Sequence, residues 1–90
     1  MPTFEYDPAK SAANLAKHGI DFDAAQALWD DPDRIEIPAR TTPEPRTLVV
    51  ARWRGKMWSA VVTPRPPHVR IISVRRSRPE EEDLYGNQDV

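Results

Sequence analysis

The sequence contains no cysteine, few glycines and no long apolar run. Without cysteine the chain forms neither a disulfide bond nor a thiolate metal site. Three glycines are too few for a glycine-rich phosphate loop, and no apolar stretch approaches the roughly 20 residues that a membrane-spanning helix needs. We therefore expect no metal, no other cofactor and no membrane contact.

The length of the chain and its first residues predict a simple organisation. Ninety residues are typical of one domain, here residues 1–90. Met1 to Glu5 show neither the basic segment nor the apolar segment of a secretion signal. We expect a soluble, cytoplasmic, single-domain protein.

Charge is distributed unevenly along the chain. Residues 39–78 contain ten basic side chains, nine of them arginine, and one acidic side chain. The flanks are acidic: residues 1–38 carry eight acidic and three basic side chains, and residues 79–90 carry five acidic and none basic. Such a cationic block attracts phosphate or an acidic partner, and arginine suits both. The alternative is that the acidic ends fold back and neutralise the block.

Local signals in the first third predict a short strand and two helices. Residues 3–6 alternate and include aromatics, which is typical of a strand. Asp7 and Pro8 suit the first positions of a helix, and Gly19 suits its end. A second helix is predicted over residues 21–31.

The rest of the chain predicts a strand meander and a final helix. Four segments have the alternation or the β-branched content of strands: residues 34–37, 47–53, 57–63 and 69–75. Residues 54–56 predict a hairpin turn, and Ser77 with Glu80 has the spacing of a capping box that opens a short helix. The order predicts an α+β fold, with both main helices packed on one face of a three- to four-stranded, mainly antiparallel sheet.

Periodicity indicates which apolar residues form the core. The predicted core positions are Ala12, Leu15 and Ala16 in the first helix, Phe22, Ala25, Leu28 and Trp29 in the second, and also Trp53 and Trp58. The tryptophans are interpreted as core rather than as stacking platforms, because the chain has few other large apolar residues.

The other face of the first helix carries polar residues. Lys10, Asn14 and Lys17 are spaced by four and three residues and therefore share a face, with His18 beside them. They offer two cations, an amide and a side chain of the type that titrates near neutral pH. An ordinary solvated helix face is the alternative interpretation.

Four arginines frame the last predicted strand: Arg70, Arg75, Arg76 and Arg78. In a regular strand Arg75 and Arg76 point to opposite faces. Arg70 and Arg75 are also separated unless a bulge reunites them, and the sequence leaves this open. At least one of these arginines is expected to pair with a glutamate near the C-terminus.

Two groups of residues resemble one toxin family. The first is Phe4-Glu5-Tyr6-Asp7, Lys10, Asn14, Lys17-His18-Gly19, Phe22, Ala25 and Asp31-Pro32; the second is Arg70-Ile71-Ile72-Ser73-Val74-Arg75-Arg76, Glu81 or Glu82, and Tyr85. In this order and spacing, the chain resembles the BrnT toxins of type II toxin–antitoxin systems.

The resemblance implies a RelE-like ribonuclease fold and toxicity through RNA cleavage that arrests translation. It also implies a cognate antitoxin of the BrnA type, with a ribbon-helix-helix DNA-binding part. Operator DNA would then be bound only through the toxin–antitoxin complex.

We hypothesise metal-independent endoribonuclease chemistry, in which the ribose 2′-hydroxyl attacks the adjacent phosphate. Arg70 and Arg75 would stabilise the developing charge, and His18 would act as acid or base, with Tyr85 or Glu81 as substitutes. The residues predicted to bind RNA are Lys10, Asn14, Lys17, Arg76 and Arg78. The alternative is a non-catalytic module that binds nucleic acid or protein through the basic strand.

Overall fold

Helices and strands account for most of residues 2–39 and 44–86, the part of the chain that the computed structural model describes. In chain order they are Thr3–Glu5 (β1), Pro8–His18 (α1), Phe22–Ala25 (α2), the 3₁₀ helix Gln26–Asp30, Ile35–Ala39 (β2), Arg46–Trp53 (β3), Lys56–Arg65 (β4), His68–Arg76 (β5) and Pro79–Gly86 (α3).

The strands form one sheet in the order β1-β5-β4-β3-β2. The four later strands form an antiparallel meander, and β1 joins its edge in parallel with β5. The predicted α+β fold with a mainly antiparallel sheet is confirmed, and the N-terminal strand proves to be part of that sheet.

Both predicted ends of α1 are confirmed. The Asp7 carboxylate accepts a hydrogen bond from the backbone N–H of Ala9 (2.8 Å), and Pro8 opens the helix. Gly19 ends it with φ 81°, a left-handed conformation that glycine adopts without steric cost. The second helix differs from the prediction, because only residues 22–25 are α-helical and residues 26–30 tighten into a 3₁₀ helix.

The apolar core lies between the helices and one face of the sheet. The α2 and 3₁₀ segment contributes Phe22, Ala25, Leu28 and Trp29, as the periodicity predicts. These residues pack on alternate side chains of three strands: Val49 and Ala51 from β3, Trp58, Ala60 and Val62 from β4, and Ile71 and Val74 from β5. We call this side of the sheet the core face.

The prediction for the packed side of α1 is wrong. Ala12, Leu15 and Ala16 are exposed, Leu15 by 49%, whereas Ser11 and Asn14 are buried. The reason is that α1 covers β5 beyond Arg70, where no strand of the described residues pairs with its outer edge. There Asn14 bonds to both backbone polar groups of Val74, donating to its C=O (2.9 Å) and accepting from its N–H (3.1 Å). Polar side chains therefore turn inward.

A bulge in β5 settles the question left open for its arginines. Val61 pairs with Ser73 and Val62 with Ile71, so Ile72 is an extra residue in β5. Directly paired residues point to the same side of a sheet. Arg70 and Arg75 therefore share the face opposite the core face, because their partners are two odd-numbered residues of β4. Arg76 lies on the core face, as predicted from alternation.

Candidate functional site

A basic cleft opens at one end of the core face. Its volume is about 380 Å³, and three separate elements supply its walls. His18 and Gly19 come from the end of α1, Trp53, Arg54, Lys56 and Trp58 from the β3–β4 hairpin, and Arg76 from the end of β5. We call this set the basic cleft; three of its seven residues are lysine or arginine, and none is acidic.

The hairpin brings two cations to the mouth of the basic cleft. Trp53 pairs with Lys56, which leaves a two-residue turn in which Arg54 (φ 51°) and Gly55 (φ 75°) both have positive φ. This is typical of the type I′ turns that join twisted strands. The Arg54 guanidinium carbon lies 4.7 Å from the Trp53 ring centroid, a cation–π contact.

His18 stands where the basic cleft meets a second depression. It is half-buried at the last position of α1. Within residues 2–39 and 44–86 its imidazole has no hydrogen bond and no ion pair, so both ring nitrogens are available to a ligand. A histidine in this position can exchange protons with a bound molecule.

The second depression runs between α1 and β5. It is lined by Lys10, Ala13, Asn14, Lys17, His18, Phe22, Ile72 and Ser73, and we call it the lysine groove. Because the lysine groove and the basic cleft share His18, the structure brings together Lys10, Lys17 and Arg76, three of the residues predicted to bind RNA. Together the two depressions are lined by His18 and by five lysine or arginine side chains: Lys10, Lys17, Arg54, Lys56 and Arg76.

Asn14, also predicted to bind RNA, has its side-chain amide engaged within the protein. Besides the two bonds to Val74, its Nδ2 donates to the carbonyl of Ile20 (2.8 Å). Asn14 is 7% exposed. It therefore holds α1, the following loop and β5 in place beneath the lysine groove.

Arg75 and Glu81 form a bidentate ion pair on the opposite face of the sheet. Both terminal guanidinium nitrogens of Arg75, Nη1 and Nη2, donate to the Glu81 carboxylate at 2.8 Å. Glu81 also accepts from Ser59 Oγ and from the Arg78 backbone N–H, each at 2.8 Å. The bond from Arg75, ahead of the other two, lowers the pKa of Glu81 to about 2. The expected pairing of one arginine with a glutamate near the C-terminus is confirmed.

Arg70 and Tyr85 lie away from the basic cleft as well. Arg70 donates to Glu5 at 2.8 Å, an ion pair between β5 and β1. Tyr85 donates its hydroxyl proton to Asp31 Oδ2 at 2.8 Å. Burial, followed by this bond to a carboxylate, raises the pKa of Tyr85 to about 12. These two residues and the Arg75–Glu81 pair are thus held in contacts within the protein.

Arg76 and Trp58 close the inner end of the basic cleft. Arg76 Nε donates to the carbonyl of Met57 (3.1 Å), and its guanidinium carbon lies 5.5 Å from the Trp58 ring centroid. Trp58 is 6% exposed, and its indole N–H has no hydrogen-bond partner in the part of the chain that the structure describes. Buried donors without a partner are rare, so this one calls for a physical reason.

Sequence reasoning missed Trp53, Arg54 and Lys56 as candidate site residues. A tight turn with two cations, flanked by two tryptophans, was the signal that could have identified them. Arg78, predicted to bind RNA, is exposed just before α3 and outside the basic cleft.

Residues 2–39 and 44–86 contain neither a candidate metal site nor a helix that could span a membrane. No group of three or more His, Cys, Asp or Glu side chains that could hold a metal ion is present there. Those residues also include no helix long and apolar enough to cross a membrane.

Comparison with known proteins identifies one family. The family model described as the ribonuclease toxin, BrnT, of type II toxin–antitoxin systems matches residues 6–81 of the 90 residues. No curated protein matches the chain. The matched span includes every residue that lines the basic cleft and the lysine groove.

Proposed function

This chain belongs to the BrnT family of ribonuclease toxins of type II toxin–antitoxin systems, and from that premise we propose that it cleaves RNA in the basic cleft without a metal ion. The observation that carries this proposal is the convergence of His18 with Arg54, Lys56 and Arg76 in one depression whose lining, among the described residues, contains no acidic side chain. These side chains are the types that phosphodiester cleavage requires.

The proposed reaction is an internal transfer at phosphorus. The ribose 2′-oxygen forms a bond to the adjacent phosphorus, the bond from phosphorus to the 5′-oxygen breaks, and the products are a 2′,3′-cyclic phosphate and a 5′-hydroxyl. His18 takes up the 2′-hydroxyl proton and delivers it to the leaving 5′-oxygen. Atoms and charge therefore balance without a further reactant.

Three cations would stabilise the charge that develops on the phosphate. Arg54, Lys56 and Arg76 approach the basic cleft from two strands and a turn, and fixed cations in a partly closed site act more strongly than in water. The sequence assigned this role to Arg70 and Arg75. We transfer it because each of those arginines is bonded to a carboxylate on or beside the opposite face.

Flanking phosphates would bind along the lysine groove. Lys10 and Lys17 lie on the exposed side of α1, next to His18, and neither has an ion pair among the described residues. Free ammonium groups bind phosphates with release of counterions, which supplies affinity without sequence preference. The RNA would thus run from the lysine groove into the basic cleft.

The first experiment incubates labelled single-stranded RNA with the purified, antitoxin-free toxin in EDTA. We expect cyclic phosphate ends from the wild type and a loss of about 100-fold or more in His18→Ala, the size typical of a missing general acid–base group. His68→Ala is the matched control, since His68 is exposed at the other end of β5 and is expected to leave the rate unchanged. Cleavage of a fully 2′-deoxy strand would contradict the mechanism.

Substitution of two adjacent arginines tests which face of the sheet carries the reaction. Arg76→Ala is expected to lower the cleavage rate while the protein remains as stable as the wild type to within about 1 kcal/mol. Arg75→Ala is expected to lower the stability of the protein, because it leaves Glu81 buried without its ion-pair partner. The cleavage rate of the folded Arg75→Ala protein should stay at the level of the wild type. Loss of cleavage in a stably folded Arg75→Ala would instead place the reaction on the opposite face.

A type II toxin has a protein antitoxin as its partner. We propose that this antitoxin is of the BrnA type, with a ribbon-helix-helix part, and that operator DNA is bound only through the complex in the cytoplasm. Co-expression with the neighbouring short reading frame is expected to give a co-purifying complex that shifts operator DNA. An operator shift by the toxin alone would contradict this.

A further inference from the structure

We propose that the basic cleft binds an unpaired base of single-stranded RNA, which lies against Trp53 and accepts a hydrogen bond from the indole N–H of Trp58. The inference rests on the proposed function, because it names the part of the RNA that enters the cleft. It adds a base-recognition role to Trp53 and Trp58, which the cleavage chemistry does not use.

Trp53 offers an aromatic surface at the mouth of the basic cleft. It is half-buried, and its ring meets that of Trp58 edge-on, with centroids 6.3 Å apart and an interplanar angle of 61°. The two indoles therefore line different walls rather than stacking on each other. A base stacks on an aromatic side chain or on an arginine plane, and Trp53 with Arg54 provides both.

The Arg54 side chain is available to a ligand at the mouth of the basic cleft. Its φ of 51° belongs to the type I′ turn and carries a cost in a non-glycine residue, whereas Gly55 adopts the same region freely. The Arg54 guanidinium stacks on the Trp53 ring and has no carboxylate partner among the described residues, so it can contact a base beside that ring.

The unpartnered indole N–H of Trp58 supplies the means of reading a base. Every nucleobase carries ring nitrogens or carbonyl oxygens that accept hydrogen bonds, and their positions differ from base to base. The N–H is shielded from solvent in the free protein. Arg76 lies over the Trp58 ring, so a shift of its guanidinium toward a phosphate of the substrate would open the N–H to the cleft.

The dimensions of the basic cleft fit a single base. Its volume of about 380 Å³ falls in the range of small-molecule sites. Bases in an A-form duplex are stacked and paired, and their edges are inaccessible to a pocket of this kind. The site therefore selects single-stranded segments, loops and ends.

The test measures binding of five short oligonucleotides that cannot be cleaved. Four are 2′-O-methyl pentamers, each of one base, and the fifth is an abasic pentamer with the same backbone. Fluorescence anisotropy with the wild type is expected to show at least one base bound about tenfold more tightly than the abasic strand, which corresponds to about 1.4 kcal/mol. Equal affinity for all five strands would overturn the proposal.

Three tryptophan variants separate stacking, base reading and simple loss of an indole. Trp53→Leu is expected to reduce affinity for the four base-bearing strands about tenfold and to leave the abasic strand unaffected. Trp58→Phe is expected to abolish the differences among the four bases while tight binding to RNA is retained. Trp29→Phe is the matched control, because Trp29 is buried to a similar extent (8% exposed) outside the cleft and should change neither property.

The outcomes also separate this proposal from the proposed function. Base discrimination that depends on Trp58, without cleavage by the wild type, would support base recognition and overturn cleavage at His18. His18-dependent cleavage with discrimination that survives in Trp58→Phe would overturn base reading alone. Because Trp53 is only half-buried, Trp53→Leu tests the stacking step even if Trp58→Phe fails to fold.

Discussion

Glu81 is a buried, charged residue whose carboxylate accepts several hydrogen bonds from other parts of the protein. Two bonds from Arg75, one from Ser59 and one from the Arg78 backbone surround its carboxylate. A carboxylate held ionised in this way is a poor proton donor near neutral pH. Its contacts join α3 to β4 and β5, so its effect belongs to stability.

The first prediction concerns stability in acid. The folded-state pKa of Glu81 is about 2 against an ordinary value of 4.5, so as the pH falls the unfolded state takes up this proton first. The stabilisation, about 3 kcal/mol, is complete above pH 4.5 and is lost between about pH 4.5 and 2. Glu81→Gln should unfold at lower urea concentration at pH 7 and lose this part of the pH dependence.

The control for that measurement is Glu82→Gln, one position further along the same helix. Glu82 is exposed, and its replacement should shift the free energy of unfolding by less than about 0.5 kcal/mol. An acid transition in Glu81→Gln identical to that of the wild type would show that the ion pair does not carry the stability.

The second prediction sets stability against activity at Arg54. Arg54→Gly removes the cost of positive φ and should raise the free energy of unfolding by about 0.5 kcal/mol, after the loss of the contact with Trp53. The same variant should cleave RNA more slowly. Gly55→Ala should instead destabilise by about 1 kcal/mol through φ alone, because an added Cβ meets no atom within 4 Å. A less stable Arg54→Gly would show that the turn is not strained.

Sequence reasoning at this scale predicted the caps and only part of the ion pairing. Asp7 and Gly19 act on neighbouring backbone groups, so their roles could be predicted from position alone. A glutamate partner was expected for at least one of the four arginines, but the sequence does not show that Glu81 reaches Arg75 or that Glu5 reaches Arg70. Such pairings depend on which strands are adjacent, and that is a property of the whole sheet.

At the scale of elements, α1 reverses the usual arrangement of an amphipathic helix. Its buried side holds Ser11 and Asn14, and its outer side exposes alanines and Leu15. Ser11 Oγ accepts from the Phe22 N–H (2.9 Å), which ties α1 to α2. The bounds of the helix follow from local signals, whereas its orientation follows from the unpaired edge of β5, which only the assembled sheet reveals.

The third prediction tests this arrangement. Asn14→Ala removes three hydrogen bonds and leaves backbone groups of Ile20 and Val74 unsatisfied in a buried position. We expect a loss of about 3 kcal/mol or more in the free energy of unfolding. Leu15→Ala, on the exposed side, should cost less than about 1 kcal/mol. Equal effects of the two variants in urea denaturation would mean that α1 is held by apolar contacts.

The orientation of the β5 side chains, like that of α1, could be predicted only in part from the sequence. Alternation correctly separates Arg75 from Arg76, since that part of the strand is regular. The extra residue, Ile72, shifts the register and unites Arg70 with Arg75 on one face. Nothing in the run of β-branched residues marks this position, because the bulge arises from the pairing with β4.

At the scale of the whole molecule, the alternative interpretation of the charge pattern, in which the acidic ends fold back, is confirmed in part. Acidic residues from the two ends pair with the basic block through Glu5 and Glu81. The cations of the basic cleft are not among the residues that they neutralise in the described part of the chain. The neutralised arginines hold the sheet together, and the cations of the basic cleft are the ones that we propose to bind RNA.

The fourth prediction follows from that division. In binding to an uncleavable single-stranded RNA, the double variant Lys10→Ala/Lys17→Ala should flatten the slope of log affinity against log salt by about 1.4, or about 0.7 for each lost phosphate contact. Arg65→Ala is the control and should leave the slope unchanged, because Arg65 lies at the end of β4 opposite to Lys56, outside the cleft lining, and is paired with Glu44. An unchanged slope in the double variant would remove the lysine groove from the RNA path.

The fold class could be predicted from the order of periodic segments, and the family from two short groups of residues. The basic cleft could not be predicted as a unit. Its walls come from the end of α1, the β3–β4 hairpin and the end of β5, and no spacing within one segment relates them. His18 and Arg76 were identified singly, and the structure supplies the hairpin that completes the site.

The assembly of the cleft from distant segments has a consequence for the time at which toxicity begins. A ribosome adds His18 early and Arg76 58 residues later, an interval of roughly 3–12 s at ordinary rates of synthesis. Until β5 enters the sheet, the nascent chain has neither the inner wall of the cleft nor the edge that α1 covers. On the proposed function, the nascent chain therefore lacks the cleavage site for most of its synthesis, and an antitoxin already present can bind the toxin when that site first forms.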